Sequence, residues 1–346
     1  MNTFGDNFQI QIFGASHAPI IGVTITGIPT GIPVSEEDFT QDILRRKSGA
    51  KGFTGSIDED VPIIECGLSK NEDGIYVTNG KAMTITFENN NIRPQDYTPF
   101  RNVPRPGHAD FTAYIKYSSR KRDFENTDFM GGGFFSGRMT LPLVGAGVIA
   151  KKILNRTSIE ARLIEVGGVS TDDKEGVKAI LAKTEEEGDS IGGIVECRCS
   201  NVPAGLGEPF FDSLESMLSH AIFSIPGIRG IEFGDGFEAS RMKGSQHNDP
   251  FIDGRGHTSK NGAGGINGGI SNGNDIVFRI AVKPTSSIIK SQQTFDFINK
   301  CMTEISVPGR HDICFALRIP PIVEAMTAIT LADMMMKDLL KRPGSL

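Results

Sequence analysis

The 346-residue chain has no tryptophan, and its five cysteines form an odd set. None of them is spaced as a C-x-x-C metal or redox pair, and no metal site is expected. Cys197 and Cys199 flank Arg198 in a strand-like run, which puts both thiols on one face. They read as a buried reduced pair, and a reduced chain is expected in the cytoplasm. No apolar run approaches the roughly 20 residues that cross a bilayer, so no membrane span is expected. Met1-Asn-Thr-Phe-Gly-Asp6 has neither a basic n-region nor an apolar h-region, so the start does not read as a secretory signal. Basic residues are not in excess: 36 Lys and Arg stand against 42 Asp and Glu, a formal net charge of −6. That balance argues against general nucleic-acid binding and leaves room for a local basic pocket.

Glycine is what the chain has in quantity, 41 residues of it, which implies many tight turns and close backbone approaches. With no linker-like stretch, the length suits one domain spanning residues 1–346. Strands are expected at Phe8 to Ile12 and Ile20 to Thr26, before the turn Gly27-Ile-Pro-Thr-Gly-Ile-Pro33. Ser35 then reads as the N-cap of a helix running to Arg46, with Phe39 and Ile43 facing inward. A similar order returns about 170 residues later. Ile191 to Arg198 is strand-like, Val202 to Gly207 is a turn, Phe211 to Ala221 is helical and Gly230 to Gly234 is a strand. This is either an internal duplication or the chance recurrence of common pieces. Further helices are expected at Thr140 to Leu154, Val177 to Glu187 and Pro321 to Leu340.

Three of the six histidines lie in loops suited to anions. His17 is in Phe13-Gly-Ala-Ser-His-Ala-Pro19, His108 in Arg105-Pro-Gly-His-Ala-Asp110, and His311 in Pro308-Gly-Arg-His-Asp312. Glycine lets backbone N–H groups approach a ligand, arginine grips phosphate or carboxylate with a planar fork, and histidine moves a proton near neutral pH. A lone histidine is more often structural, but three in such settings point to an enzyme acting on an anionic small molecule. His220, His247 and His257 lack that setting. Asp312 either orients its neighbours or serves as a general base, should burial raise its pKa. Arg45 and Arg46 end a helix, where they read as dipole partners or as an anion clamp. The glycine-dense Asn261 to Gly273 precedes the strand Asp275 to Val282 and then Lys283-Pro-Thr-Ser-Ser287. Backbone N–H, ammonium and hydroxyl donors are expected to converge there on a phosphate, although the glycines fit neither a P-loop nor a dinucleotide fingerprint.

These motifs, taken in order, resemble those of the chorismate synthase family over nearly the whole chain. Phe13 to Ala18 is similar to the family's Phe-Gly-Glu-Ser-His-Gly, and Arg105 to Asp110 matches its Arg-Pro-Gly-His-Ala-Asp outright. Gly27 to Pro33, Gly131 to Thr140, Gly145 to Lys152, Pro203 to Pro209, Gly234 to Phe237 and Gly268 to Gly273 follow in family order. Lys283 to Ser287, Arg310 to Asp312 and Glu324 to Met326 complete the series.

The resemblance implies an α+β fold, a β-α-β sandwich assembled as a homotetramer, with the internal pseudo-duplication left as the open reading above. It implies a lyase at the last step of the shikimate pathway of aromatic amino acid biosynthesis. The reaction would be an anti-1,4-elimination of phosphate from 5-enolpyruvylshikimate 3-phosphate, giving chorismate with reduced FMN as cofactor. NADPH would enter only as an indirect reductant. With no appended reductase domain, an external flavin reductant is the expected partner, beside the phosphorylated small-molecule substrate. Carried over by position, His17 would protonate the departing phosphate and His108 would serve the flavin's protonation state. Asp312 would relay the C6 proton through flavin N5. Arg45, Arg46 and Arg105 would hold substrate anions. Ser136, Gly268, Lys283, Pro284, Thr285, Ser286, Ser287 and Arg310 would line the FMN site.

The departures bear on the same site. The family's Glu before Ser-His is Ala15, its Arg-Ser pair is Phe134-Phe135, and its Glu after Arg138 is Met139. A family Asn falls at Pro226 and a family Arg at Gly52. Phe134 and Phe135 either stack on the flavin ring or weaken its binding. The altered wall leaves a second expectation, a paralogue of the same fold that binds a ligand or partner without turnover. A third is a flavin-dependent enzyme acting on another phosphorylated cyclic acid.

Overall fold

The computed structural model describes residues 2–47, 59–90, 103–117, 130–309 and 311–341. The chain begins with β1 (Thr3–Phe4), β2 (Gln9–Phe13), β3 (Ile20–Thr26), α1 (Glu37–Arg46), β4 (Ile63–Cys66), β5 (Leu68–Lys70), β6 (Tyr76–Thr78) and β7 (Met83–Glu88). Then come α2 (Asp110–Tyr117), α3 (Thr140–Ile153), β8 (Ser158–Val166), β9 (Val169–Ser170), α4 (Lys174–Glu186) and β10 (Gly193–Ser200). The remainder is α5 (Leu214–Phe223), β11 (Ile228–Phe233), α6 (Gly244–His247), β12 (Ile266–Asn267), β13 (Ile270–Ser271), β14 (Ile276–Val282), β15 (Gln292–Asp296), β16 (Cys301–Ile305) and α7 (Pro320–Lys341).

Among the described residues, two antiparallel five-stranded sheets run β1-β2-β3-β7-β4 and β11-β14-β10-β8-β9. Without the short outer strands β1 and β9, they read β2-β3-β7-β4 and β8-β10-β14-β11. The chain visits these positions in one order twice, as β2-β3-α1-β4-β7-α3 and then β8-β10-α5-β11-β14-α7. Shared strand order with shared chain order favours duplication over chance recurrence. The main sequence departures are local. Ser35 does not cap α1: its backbone N–H donates to Asp38 Oδ2 at 2.8 Å, and Glu36 takes the cap position. In the second copy Ser213 caps α5 by accepting from the Ser216 N–H, and Phe210 and Phe211 precede the helix, exposed.

The helices α3 and α7 lie between the sheets. Strand alternation supplies the two walls, Val23, Ile25, Ile85 and Phe87 from one and Val195, Cys197, Phe278 and Ile280 from the other, all buried. Cys197 and Cys199 are free and buried on that inner face, and burial raises the Cys197 thiol pKa. Every residue of α3 from Thr140 to Ala150 is buried, as a helix packed on all sides requires. The two helices cross at Gly147, where an added Cβ would lie 2.3 Å from Ala325 Cβ and 2.5 Å from Ala325 Cα. Both obstacles are helix backbone or its first side-chain carbon, so neither can rotate aside. Gly147→Ala is therefore expected to lower stability by about 1–3 kcal/mol through overpacking, despite its better helix propensity, as measured by urea unfolding.

Candidate active site

A cavity of about 720 Å³ opens between loops of both halves. Its walls are the end of β7 at Asn89, the turn before α2, the 130–139 segment leading into α3, the α5–β11 turn, the exit of β14 at Lys283, and the turn before α7. Lys47, Arg105, Arg138, Arg229, Lys283 and Arg318 line it, against the carboxylates of Asp60 and Asp312. Three histidines share it: His17, His108 and His311. Six cations facing two acids make a site for a polyanion.

The Arg-Pro-Gly-His-Ala-Asp turn is a closed network. Arg105 Nε donates to Asp110 Oδ2 at 2.8 Å, and its Nη2 donates to Oδ1 at 2.8 Å. Arg105 Nη1 donates to Ser287 Oγ at 3.2 Å, joining this turn to the loop after β14. His108 Nδ1 lies 2.6 Å from Asp110 Oδ1, an approach that makes the ring nitrogen the donor. Burial alone would raise the Asp110 carboxyl pKa. Hydrogen bonds from Arg105 and His108, with their charges, instead hold it well below the usual carboxylate range. Asp110 also opens α2, where the N–H groups of a helix start favour an anion. Gly107 has φ +71°, a region open to glycine at no cost, and its carbonyl accepts from Lys283 Nζ at 2.8 Å and Ser286 Oγ at 2.7 Å. Burial, then the nearby Arg229 charge, lowers the Lys283 pKa. Thr285 Oγ1 is buried without a hydrogen-bond partner, a hydroxyl that a ligand can satisfy.

The first histidine loop is tied down from behind. Asn89 Nδ2 donates to the Ser16 carbonyl at 2.7 Å and the Ala18 carbonyl at 2.9 Å, so the backbone on both sides of His17 is fixed. Arg318 Nη1 donates to Asp312 Oδ2 at 3.0 Å, and Arg138 pairs with Asp60.

The structure thus brings His17, His108, Asp312, Arg105, Ser136 and Lys283 to Ser287 to one cavity. Three predicted residues lie elsewhere. Arg45 reaches away to Glu324, donating at 2.8 and 2.7 Å. Arg46 is 1% exposed and works from behind the wall. It donates to Thr140 Oγ1, the Gly137 and Arg138 carbonyls and Asp60, while its own carbonyl accepts from Arg318 Nε. Burial, with Arg318 alongside, lowers its pKa to about 9, so it stays charged at neutral pH. Gly268 lies in the β12–β13 ribbon before β14, whereas Lys283 follows β14. Seven strand residues put roughly 20 Å between them, so the glycine-dense segment and the Lys-Pro-Thr-Ser-Ser loop do not converge. Arg310 falls outside the described residues. Arg138, Arg229 and Arg318 were not among the predicted ligands. Arg138 carried a signal, its place after Ser136-Gly137 in a glycine-rich motif, but the other two are lone arginines in ordinary sequence.

Comparison with known proteins agrees with this arrangement. The chorismate synthase family model matches residues 8–336. A chorismate synthase from Chitinophaga pinensis is 53% identical over 98% of this chain and 97% of its own. One from Methanosarcina acetivorans is 40% identical over 100% and 99%. The chain belongs to the chorismate synthase family. A crystal structure of chorismate synthase has the same fold, with a TM-score of 0.72 at 24% identity over 97% of this chain and 94% of that one. Membership makes the protein a lyase of aromatic amino acid biosynthesis. Its departures from the family pattern fall on more than one segment of the cavity, and the one at Gly52 lies outside the described residues. Phe134 and Phe135 line the cavity, 61% and 41% exposed, and Pro226 lines it too, while Met139 is buried in the core.

Proposed function

We propose that this enzyme eliminates phosphate from 5-enolpyruvylshikimate 3-phosphate to give chorismate, with reduced FMN bound in the same cavity. The observation that carries the reading is that, among the described residues, six cations and three imidazoles line one pocket. The substrate has two carboxylates and a phosphate, so several fixed cations are what its binding needs. The pocket also suits a flavin: a volume within the usual ligand-site range, an unsatisfied buried hydroxyl at Thr285, and exposed aromatic side chains at Phe134 and Phe135. Ser136 and Lys283 to Ser287 are the residues that would hold it, with Arg310 assigned to the same site by family position.

Reduced FMN, when bound, supplies electron density to the substrate as phosphate departs. The protein's own part is binding, orientation and proton transfer. Arg105 and Arg229 neutralise the substrate's phosphate, and removal of its charge from water strengthens both contacts. His17, on its fixed loop, donates a proton to the leaving oxygen. Asp110 orients His108 through Nδ1, so His108 exchanges protons at Nε2. Asp312, oriented by Arg318, serves as the carboxylate that finally takes up the proton lost from C6. Reduced flavin comes from an external reductant, NADPH acting indirectly. We read the chain as one domain, working as a cytoplasmic homotetramer. Arg46 supports the site by holding its wall from behind, whereas Arg45 reaches away to Glu324.

The deciding experiment supplies reduced FMN and 5-enolpyruvylshikimate 3-phosphate anaerobically and measures phosphate and chorismate together. Equimolar release is expected. A normally folded protein that releases neither would overturn the assignment and favour a binding paralogue.

A further inference from the structure

The loop that carries His17 has little of its own to hold it. Gly14 to Pro19 joins β2 to β3, and only Ser16 and His17 in it bear polar side chains. Its own turn is closed by one backbone bond, from the Ala18 N–H to the Ala15 carbonyl at 3.0 Å. A proton donor has to come within about 3 Å of the atom it serves, so a loop this bare needs support from outside.

Asn89 gives that support, and its place in the sheet explains how. β3 and β7 pair with Ile20 opposite Glu88, and the Asn89 N–H adds one more rung by donating to the Pro19 carbonyl at 2.9 Å. Side chains alternate at the end of β7: Phe87 is buried in the core, Glu88 is exposed, and Asn89 is buried again at the cavity wall. From there Nδ2 spans the base of the loop, donating to the Ser16 carbonyl at 2.7 Å and the Ala18 carbonyl at 2.9 Å. Two carbonyls can accept only from the NH2 end, so the amide has one possible orientation. The residues it grips are those directly before and after His17. A further tie comes from the Ser16 N–H, which donates to the Gly133 carbonyl at 3.2 Å, in the segment that leads to Phe134 and Arg138. The loop is thus fastened to two other walls of the cavity, and Asn89 makes the shorter bonds.

We propose that Asn89 is a positioning residue for the elimination: by holding the carbonyls on either side of His17, it fixes where the imidazole delivers its proton. This rests on the function proposed above and on the role given there to His17. Anaerobic turnover with reduced FMN is measured for the wild type, His17→Ala, Asn89→Ala, Asn89→Asp and the double variant His17→Ala with Asn89→Ala. Asn89→Asp keeps the shape but sets oxygen against both carbonyls. Each single Asn89 variant is expected to lower kcat about 10-fold or more with KM within about twofold, because a donor misplaced by about 1 Å loses rate and not substrate binding. Added to His17→Ala, the Asn89→Ala change should cost less than about twofold, since no imidazole is left to place. Asn89→Ser, which keeps one donor, supplies the same cycle should the alanine variant not fold. Hydrogen exchange gives a reading independent of turnover: the Ser16 and Ala18 amides should exchange faster in the Asn89 variants, with β3 and β7 unchanged. Equal losses with and without His17 would overturn the proposal, as would wild-type turnover in the Asn89 variants. A wild-type rate in His17→Ala would instead remove the role given to His17, and this inference with it.

Discussion

His108→Ala is expected to lower turnover by about 10²-fold or more without a matching loss of stability. The argument starts from Asp110. Its carboxylate takes two hydrogen bonds from the Arg105 guanidinium and one from His108, and it stays ionised throughout the working pH range. A fixed anion 2.6 Å from Nδ1 sets the imidazole's tautomer and orientation, and it stabilises the imidazolium when Nε2 gains a proton. Truncation removes that proton carrier while the Arg105–Asp110 pair remains to hold the turn. Asp110→Asn is the companion test, since it keeps the shape but lets the amide present a donor to Nδ1, favouring the wrong tautomer. His17→Ala should cost a comparable factor by removing the proton for the leaving phosphate. Single-turnover measurement under anaerobic conditions with reduced FMN separates these effects from substrate binding. A wild-type rate in both alanine variants would refute their assigned roles.

How far the site could be read in advance depended on how local its chemistry is. Arg105, His108 and Asp110 fall within six residues, so one turn brings cation, imidazole and carboxylate together and the motif announces itself. The first copy of the fold was equally legible, because Ile21, Val23 and Ile25 alternate and Phe39 and Ile43 repeat at helical spacing. The arginines behaved differently. Arg45 and Arg46 are adjacent at the end of α1, yet helix geometry turns neighbours about 100° apart, so one meets Glu324 and the other the back of the cavity wall. Arg229 and Arg318 reach the cavity only through pairings between segments far apart in the chain, and no local pattern marks them. The glycine-dense segment misled for the same reason. Nearness in sequence to Lys283 was undone by an extended strand between them.

Replacing Glu324 with leucine is expected to lower stability by about 3 kcal/mol, the largest loss we anticipate from a residue outside the cavity. Glu324 sits on α7 with its side chain 4% exposed. It accepts from Arg45 of α1 at 2.7 and 2.8 Å, from Lys151 of α3 at 2.9 Å and from the Ala161 N–H of β8 at 2.9 Å. One carboxylate thus ties the paired central helices to a helix of the first half and a strand of the second. Leucine would strand a buried N–H and leave Lys151 and Arg45 to Asp42 alone, the other acid within reach of both. The loss should stay at the lower end of the range for broken buried pairs, because Arg45 and Lys151 are 36% and 27% exposed and can hydrate. The sign of the pH dependence follows. Burial acts to raise the Glu324 pKa, but the Arg45 hydrogen bond and the Lys151 charge prevail and lower it. A carboxyl more acidic in the folded state contributes stability above its unfolded pKa and loses that contribution as pH falls through the folded one. Urea unfolding of wild type and Glu324→Leu should therefore differ most near neutrality and converge under acid. A gap that stays constant or widens on acidification would mean that Glu324 acts through packing and not through its charge.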